Sequence, residues 1–221
     1  IITLNVTTSV DLSKKNLGII DKYAVATSQT LTLSSTQLTG TLGISGAGSI
    51  VLNTPATDST VDLHSLADTS FSGTITINDG IENNTITSGN KNTIVNLTAG
   101  ADTVTLGTGT NTVNVSAANR TSADTITATA GTTDTVNITS SGAVDASGLN
   151  GVETISLNAG GNTITVGANT GTINGGAGND TFKYAIGDFS SSDIVNGGTQ
   201  TTADTLEFTS SAATTASTLF G

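Results

Sequence analysis

From residue 84 onward the chain repeats one short phrase: an Asn or an acid, a Thr, an apolar residue, a small polar one and, usually, a second apolar one. It reads Asn92-Thr-Ile, Asp102-Thr-Val-Thr-Leu, Asn111-Thr-Val-Asn-Val, Asp124-Thr-Ile and Asp134-Thr-Val-Asn-Ile. It continues as Glu153-Thr-Ile-Ser-Leu, Asn162-Thr-Ile-Thr-Val, Asp180-Thr-Phe-Lys-Tyr and Asp204-Thr-Leu-Glu-Phe. The gaps between first residues are 10, 9, 13, 10, 19, 9, 18 and 24, most of them near nine or twice nine. A nine-residue period is too short for a helical repeat or a propeller blade. It leaves room for a short turn and a strand of about three or four residues. Two such units make one coil of a flattened parallel β-helix, with strands stacked at about 4.8 Å. The alternating Val, Ile and Leu then point into a narrow interior, while Thr and Asn point outward and form ladders from coil to coil.

The front half is less regular. Strands are expected near Ile2–Val6, Leu31–Leu33, Ile50–Leu52 and Thr74–Ile77, separated by Gly, Ser and Asp turns. A larger repeat ties the halves together. "VDLHSL" at 61–66 is echoed by "VDASGL" at 144–149, and "TITINDGIENNTIT" at 74–87 by "TISLNAGGNTIT" at 154–165. The expected architecture is therefore all-β: a right-handed parallel β-helix or β-roll solenoid. Coils are longer and irregular in a segment 1–83, and short and nonapeptide-like in a segment 84–221 continuous with it. A β-sandwich fits less well, because its strands run longer and recur less evenly. The one place for a short helical turn is Leu12–Tyr23, where Lys14, Lys15 and Lys22 gather.

Composition narrows the chemistry. The chain has no Cys, Met or Trp and one His, so disulfides, thiolate metal sites and thiol nucleophiles are excluded. Seventeen acidic against six basic residues give a net charge of −11, which repels phosphate backbones and argues against nucleic-acid binding. No apolar run is long enough to span a membrane as a helix. His64 has no HExxH context and no GxSxG elbow accompanies it, so the reading is that the protein is not an enzyme. Tyr23, Tyr184 and Phe189 are the candidate platforms for a sugar, although alternation turns Tyr184 and Phe182 inward.

One stretch is chemically distinctive. "GGAGNDTFK", Gly175 to Lys183, packs three glycines and an Asp into six residues and then alternates apolar residues. Glycines allow positive φ and let the backbone turn its carbonyls toward an ion, and a hard cation takes six to eight oxygens. The stretch matches the pattern GGxGxDxUx at every specified position and resembles the calcium-binding repeat of the repeats-in-toxin (RTX) family. That resemblance implies a β-roll holding Ca²⁺ through Gly175, Gly176, Gly178 and Asp180. Degenerate copies extend it to Gly197, Gly198 and Asp204, to Asp102 in "TAGADTVTL", and to Asn111 in "LGTGTNTVN".

The Thr/Ser/Asn/Gly-rich, acidic, cysteine-free composition, together with "GVETI" at 151–155, is similar to bacterial surface-layer proteins and type I-secreted adhesins. The resemblance implies a secreted, extracellular protein of the bacterial cell surface. Its partners would be further copies of itself in an array or filament, or a cell-surface polysaccharide. The alternative is a calcium-dependent adhesin or carbohydrate-binding module of a larger secreted protein. Two expectations concern the ends: "IITLNV" is an alternating strand able to pair with a neighbour, and the repeat grammar calls for another coil after Gly221, which marks a piece of a longer chain or a subunit that needs its neighbour.

Overall fold

A computed structural model describes residues 1–38, 43–64, 66, 70–129, 133–168, 171–200 and 202–209. The first eight strands are β1 (Thr3–Val6), β2 (Val10–Asp11), β3 (Lys22–Val25), β4 (Thr30–Ser34), β5 (Gly43–Gly46), β6 (Ser49–Asn53), β7 (Ser59–Asp62) and β8 (Ile75–Asn78). Next come β9 (Asn84–Thr87), β10 (Thr93–Asn96), β11 (Thr103–Thr105), β12 (Thr112–Val115), β13 (Thr125–Thr127), β14 (Thr135–Ile138) and β15 (Ala143–Ala146). The last seven are β16 (Leu149–Asn150), β17 (Thr154–Ser156), β18 (Thr163–Val166), β19 (Thr172–Asn174), β20 (Thr181–Ala185), β21 (Ile194–Asn196) and β22 (Thr205–Thr209). All of the strand pairs are parallel. The molecule is a parallel β-solenoid.

One face is a ten-stranded sheet in the order β2-β4-β6-β8-β10-β12-β14-β17-β19-β21. The opposite side is shared by three shorter sheets: β1-β3-β5, then β7-β9-β11-β13-β16, then β15-β18-β20-β22. The step from one coil to the next is 18 residues where two nonapeptides make the coil, as from Thr76 to Ile94, Ile94 to Thr112 and Ile155 to Ile173. Elsewhere turns carry extra residues. Leu52 to Ile77 spans 25, Val113 to Val136 spans 23 and Phe182 to Leu206 spans 24. The strands remain short because β-branched Thr, Val and Ile suit a pleated surface, while Gly, Asn and Asp interrupt it at each turn.

Alternation sorts the side chains as the sequence led one to expect. Leu33, Leu52, Ile77, Val95, Val113, Val136, Ile155 and Ile173 lie in register as one inward column, each at most 3% exposed. Val61, Ile86, Val104, Ile126 and Leu149 form the facing column. Each buried side chain of this size contributes roughly 1.5–3 kcal/mol, so a narrow core repeated coil after coil replaces a single large one.

Outward columns also run in register. Thr85, Thr103 and Thr125 are stacked, and a hydrogen-bonded ladder is built by asparagine. Each amide donates to the one a coil earlier: Asn78 to Asn53 at 3.0 Å, Asn96 to Asn78 at 2.8 Å, Asn114 to Asn96 at 2.8 Å and Asn137 to Asn114 at 3.0 Å. Ser156 interrupts the column, which resumes with Asn196 to Asn174 at 2.9 Å.

Segment 12–21 makes a turn, Lys15 N–H to Leu12 O at 2.9 Å, and the helical elements among the described residues are two short 3-10 turns, Ser35–Leu38 and Ile186–Asp188. The expected continuation after Leu219-Phe220 concerns a part of the chain outside the described residues.

Candidate cation site

The residue that opens each phrase sits at the end of a turn, just before a strand or, for Asn84, as the strand's first residue. Asn84, Asp102, Asn111, Asp124, Asp134, Asn162 and Asp180 are all at most 2% exposed. Their burial is arranged by the stacking of coils, since one side-chain oxygen reaches back to the backbone N–H at the same position one coil earlier. Asp102 Oδ1 accepts from Asn84 N at 2.9 Å, and Asp134 Oδ1 from Asn111 N at 2.9 Å. Asp180 Oδ1 accepts from Asn162 N at 2.8 Å, and Asp204 Oδ1 from Asp180 N at 2.9 Å. Charge-assisted bonds of this kind satisfy donors that the turn would otherwise leave unpaired.

The other atom of the side chain decides the chemistry. In asparagine turns it is an amide nitrogen. Asn162 Nδ2 donates to Asn158 O at 3.1 Å, Gly160 O at 2.6 Å and Asp180 Oδ1 at 3.2 Å. Asn111 Nδ2 likewise donates to Gly107 O at 3.2 Å, Gly109 O at 2.8 Å and Asp134 Oδ1 at 3.0 Å. The NH₂ group thus fills a cage of oxygens with its own partial positive charge. At Asp124 the positive group comes from elsewhere: the buried Arg120 lies 3.5 Å away, and Thr121 N–H donates to Asp124 Oδ2 at 2.7 Å.

Asp180 has neither device. It carries an oxygen where Asn162 carries nitrogen, and this Oδ2 is buried without a hydrogen-bond donor. A Cβ placed on Gly175 would stand 2.7 Å from that oxygen, and one on Gly197 would overlap Asp204 Oδ2. Only a residue without a side chain fits at either place. Gly176 and Gly178 hold φ of +88° and +124°, which bend the turn around the carboxylate. The turns of Gly175–Asp180 and Gly197–Asp204 are themselves stacked, through Gly175 N to Asn196 O and Thr199 N to Gly176 O, both 2.8 Å.

The structure therefore brings together Gly175, Gly176, Gly178, Asp180, Gly197, Gly198 and Asp204 and leaves two expected members elsewhere. Asp102 belongs to the same edge of the solenoid but lies in an earlier coil, in the turn between β10 and β11. Asn111 lies in the turn between β11 and β12, at the other edge, and its amide donates to Gly109 O and Asp134 Oδ1. Among the described residues no three His, Cys, Asp or Glu side chains gather around one point, so backbone oxygens have to complete any metal shell.

Sequence reasoning missed Asp79 and Arg120. Asp79 follows β8 at the turn position that Gly175 fills in the complete motif, and departure from glycine there was the available signal. Arg120 is buried in a nine-residue turn, where spacing gives no hint of its direction. Among the sugar platforms, Tyr23 and Tyr184 are at most 1% exposed and belong to the core. Phe189 stacks edge-on between Tyr184 and Phe208, at centroid distances of 5.0 and 5.2 Å. His64 is exposed, and its backbone N–H donates to Asp62 Oδ1 at 2.8 Å, the same turn that Ser147 makes with Asp145 in the echoed segment. No family model matches the chain, and neither the curated proteins nor the solved structures contain a significant match to it.

Proposed function

We propose that the chain is an extracellular structural protein of the bacterial surface: a surface-layer or filament subunit that self-assembles through its solenoid edges and is stiffened by calcium. The calcium part rests on Asp180, whose buried, donor-less Oδ2 occupies the place of the Asn162 amide inside a glycine-shaped turn. Gly175, Gly176, Gly178 and Asp180 would hold the ion, with Gly197, Gly198 and Asp204 of the stacked turn beside them. A bound Ca²⁺ would supply positive charge between two coils, coupling their separation to ion concentration.

The assembly part rests on the first coil. Among the described residues β1 pairs with β3 alone and β2 with β4 alone. Ile1, Ile2 and Ile19 beside them are 99%, 58% and 79% exposed. A parallel edge flanked by apolar side chains is a template for a further strand, which a preceding coil of the same polypeptide or a second copy of the chain would supply. Negative-stain microscopy with and without calcium tests this reading. Ordered arrays or filaments in calcium, abolished by deleting residues 1–6 while the fold persists, are the expected result. A monodisperse monomer in calcium would overturn it in favour of the adhesin or carbohydrate-binding reading.

A further inference from the structure

Besides Asp180, the described residues include other buried carboxylates with a donor-less oxygen, and two of them lie in successive turns at the same edge. Asp79 opens the turn between β8 and β9, and Asp102 closes the turn between β10 and β11, one coil on. Asp79 is 8% exposed and Asp102 is 1% exposed; Asp79 Oδ1 and Asp102 Oδ2 have no hydrogen-bond partner. The two turns are tied together at their remaining oxygens. Thr98 N–H reaches Asp79 Oδ2 at 3.4 Å, and Asn84 N–H donates to Asp102 Oδ1 at 2.9 Å.

The electrostatics are unfavourable as they stand. Two carboxylates repel each other across a poorly solvated turn, and the like charge of Asp124 adds to the effect on both. Arg120 spends its Nη1 on Asp124 and Thr121 O, and its Nε and Nη2 have no hydrogen-bond partner, so none of its nitrogens is given to Asp79 or Asp102. The nearby Asn84 amide spends its nitrogen on Glu82 O at 2.8 Å. In the asparagine turns the second and fourth carbonyls receive the amide nitrogen, and the corresponding carbonyls in this turn belong to Thr98 and Gly100. At this position Asp102 carries an oxygen where the asparagines carry the donating nitrogen, and that Oδ2 has no hydrogen-bond partner.

We propose that Asp79 and Asp102 bind a hard divalent cation between the turns 79–84 and 97–102, at a site separate from the glycine turn of Asp180. The chemistry is an all-oxygen shell: one carboxylate from each coil, with backbone carbonyls and water completing the number such ions take. Asp79 is the distinguishing residue, because it adds a second carboxylate where the complete glycine motif has no side chain.

The test is calcium stoichiometry on the full chain, by equilibrium dialysis with metal analysis. The wild type, Asp102→Asn, Asp79→Asn and Asp180→Asn are compared, with far-UV circular dichroism reporting the fold. Asp102→Asn reproduces the asparagine that the chain already uses at positions 84, 111 and 162, so the turn retains a native means of closing. The expected result is that Asp102→Asn and Asp79→Asn each lose the same single ion per chain, which Asp180→Asn retains. A folded Asp102→Asn with wild-type stoichiometry overturns the proposal, as does loss of that ion in Asp180→Asn alone. If Asp180→Asn loses no ion while Asp102→Asn does, the glycine-turn reading fails and this one stands.

Discussion

Asn162 and Asp180 occupy the same turn position in successive coils, and the amide nitrogen of the first lies 3.2 Å from the carboxylate oxygen of the second. One coil closes itself with NH₂, and the next carries the isosteric oxygen and cannot. Exchanging a single atom converts one kind of turn into the other, which makes the proposed ion dependence of this solenoid open to point substitution.

The first prediction follows from that exchange. An ion held at 100 times its dissociation constant stabilises by about 2.7 kcal/mol, which for a chain of this size raises the melting temperature by about 5–10 °C. The wild type should show a calcium-dependent rise in thermal melts of that order, and Asp180→Asn a smaller one with a higher baseline in chelator. A variant whose melting point in chelator is no higher than the wild type's would show that the Asp180 turn does not lack positive charge.

The asparagine ladder gives the second. Asn114 donates to Asn96 and accepts from Asn137, so Asn114→Ala removes two rungs, whereas Asn53→Ala removes one. With about 1 kcal/mol per net hydrogen bond, urea denaturation should report losses near 2 and 1 kcal/mol respectively. Ser156→Asn should fill the gap between Asn137 and Asn174 and raise stability. Equal effects at Asn114 and Asn53 would mean that the rungs do not add one by one to stability.

Much of this was legible in the chain. The phrase spacing, the inward Val/Ile/Leu and the outward Thr/Asn follow from a period of two combined with a coil of two nonapeptides, and Phe182 and Tyr184 fall inward as alternation requires. The role of Asn111 was not legible. Asn and Asp look interchangeable in a degenerate motif, yet the Asn111 nitrogen donates to Gly109 O and to Asp134 Oδ1, which a carboxylate oxygen could not do. Tyr23 resembled a surface ring because its coil is irregular, but its phenol is buried and donates to Gln37 O at 3.2 Å. Arg120 and Asp124 show the same limit, since four residues of separation inside a long turn do not reveal a buried ion pair.

The third prediction concerns pH. Burial, as the largest cause, raises the Asp79 carboxyl to about 6 and the Asp102 carboxyl to about 7, each above the ordinary 3.8 of an unfolded chain. The facing charges are each other, Asp124 and the Arg120 paired with it. A raised carboxyl means that the folded state binds more protons than the unfolded one, so unfolding free energy decreases as pH rises. This stabilisation is complete below about pH 4 and is lost as pH climbs through 6 and 7. In chelator, denaturation midpoints should therefore fall between pH 5 and pH 8, and Asp102→Asn should flatten the slope. A midpoint that rises over this range in chelator would contradict the burial of the pair.

The last prediction separates the glycines that stacking requires from those it does not. Gly178 has φ of +124°, and a Cβ there would stand 2.6 Å from the carbonyl carbon of Gly160 in the coil before it. Backbone cannot swing aside as a side chain does, so Gly178→Ala combines left-handed strain of about 1–2 kcal/mol with a clash between coils. Gly187 has nothing within 4 Å of a Cβ and no positive φ, so Gly187→Ala should stay within about 0.5 kcal/mol of the wild type. Denaturant titrations should place Gly178→Ala at least 2 kcal/mol below Gly187→Ala, and the gap should narrow in saturating calcium only if the bent turn still closes around the ion. Equal stabilities would mean that the coils at Gly160 and Gly178 are not packed backbone to backbone, and the shape of the glycine turn would then need a different cause.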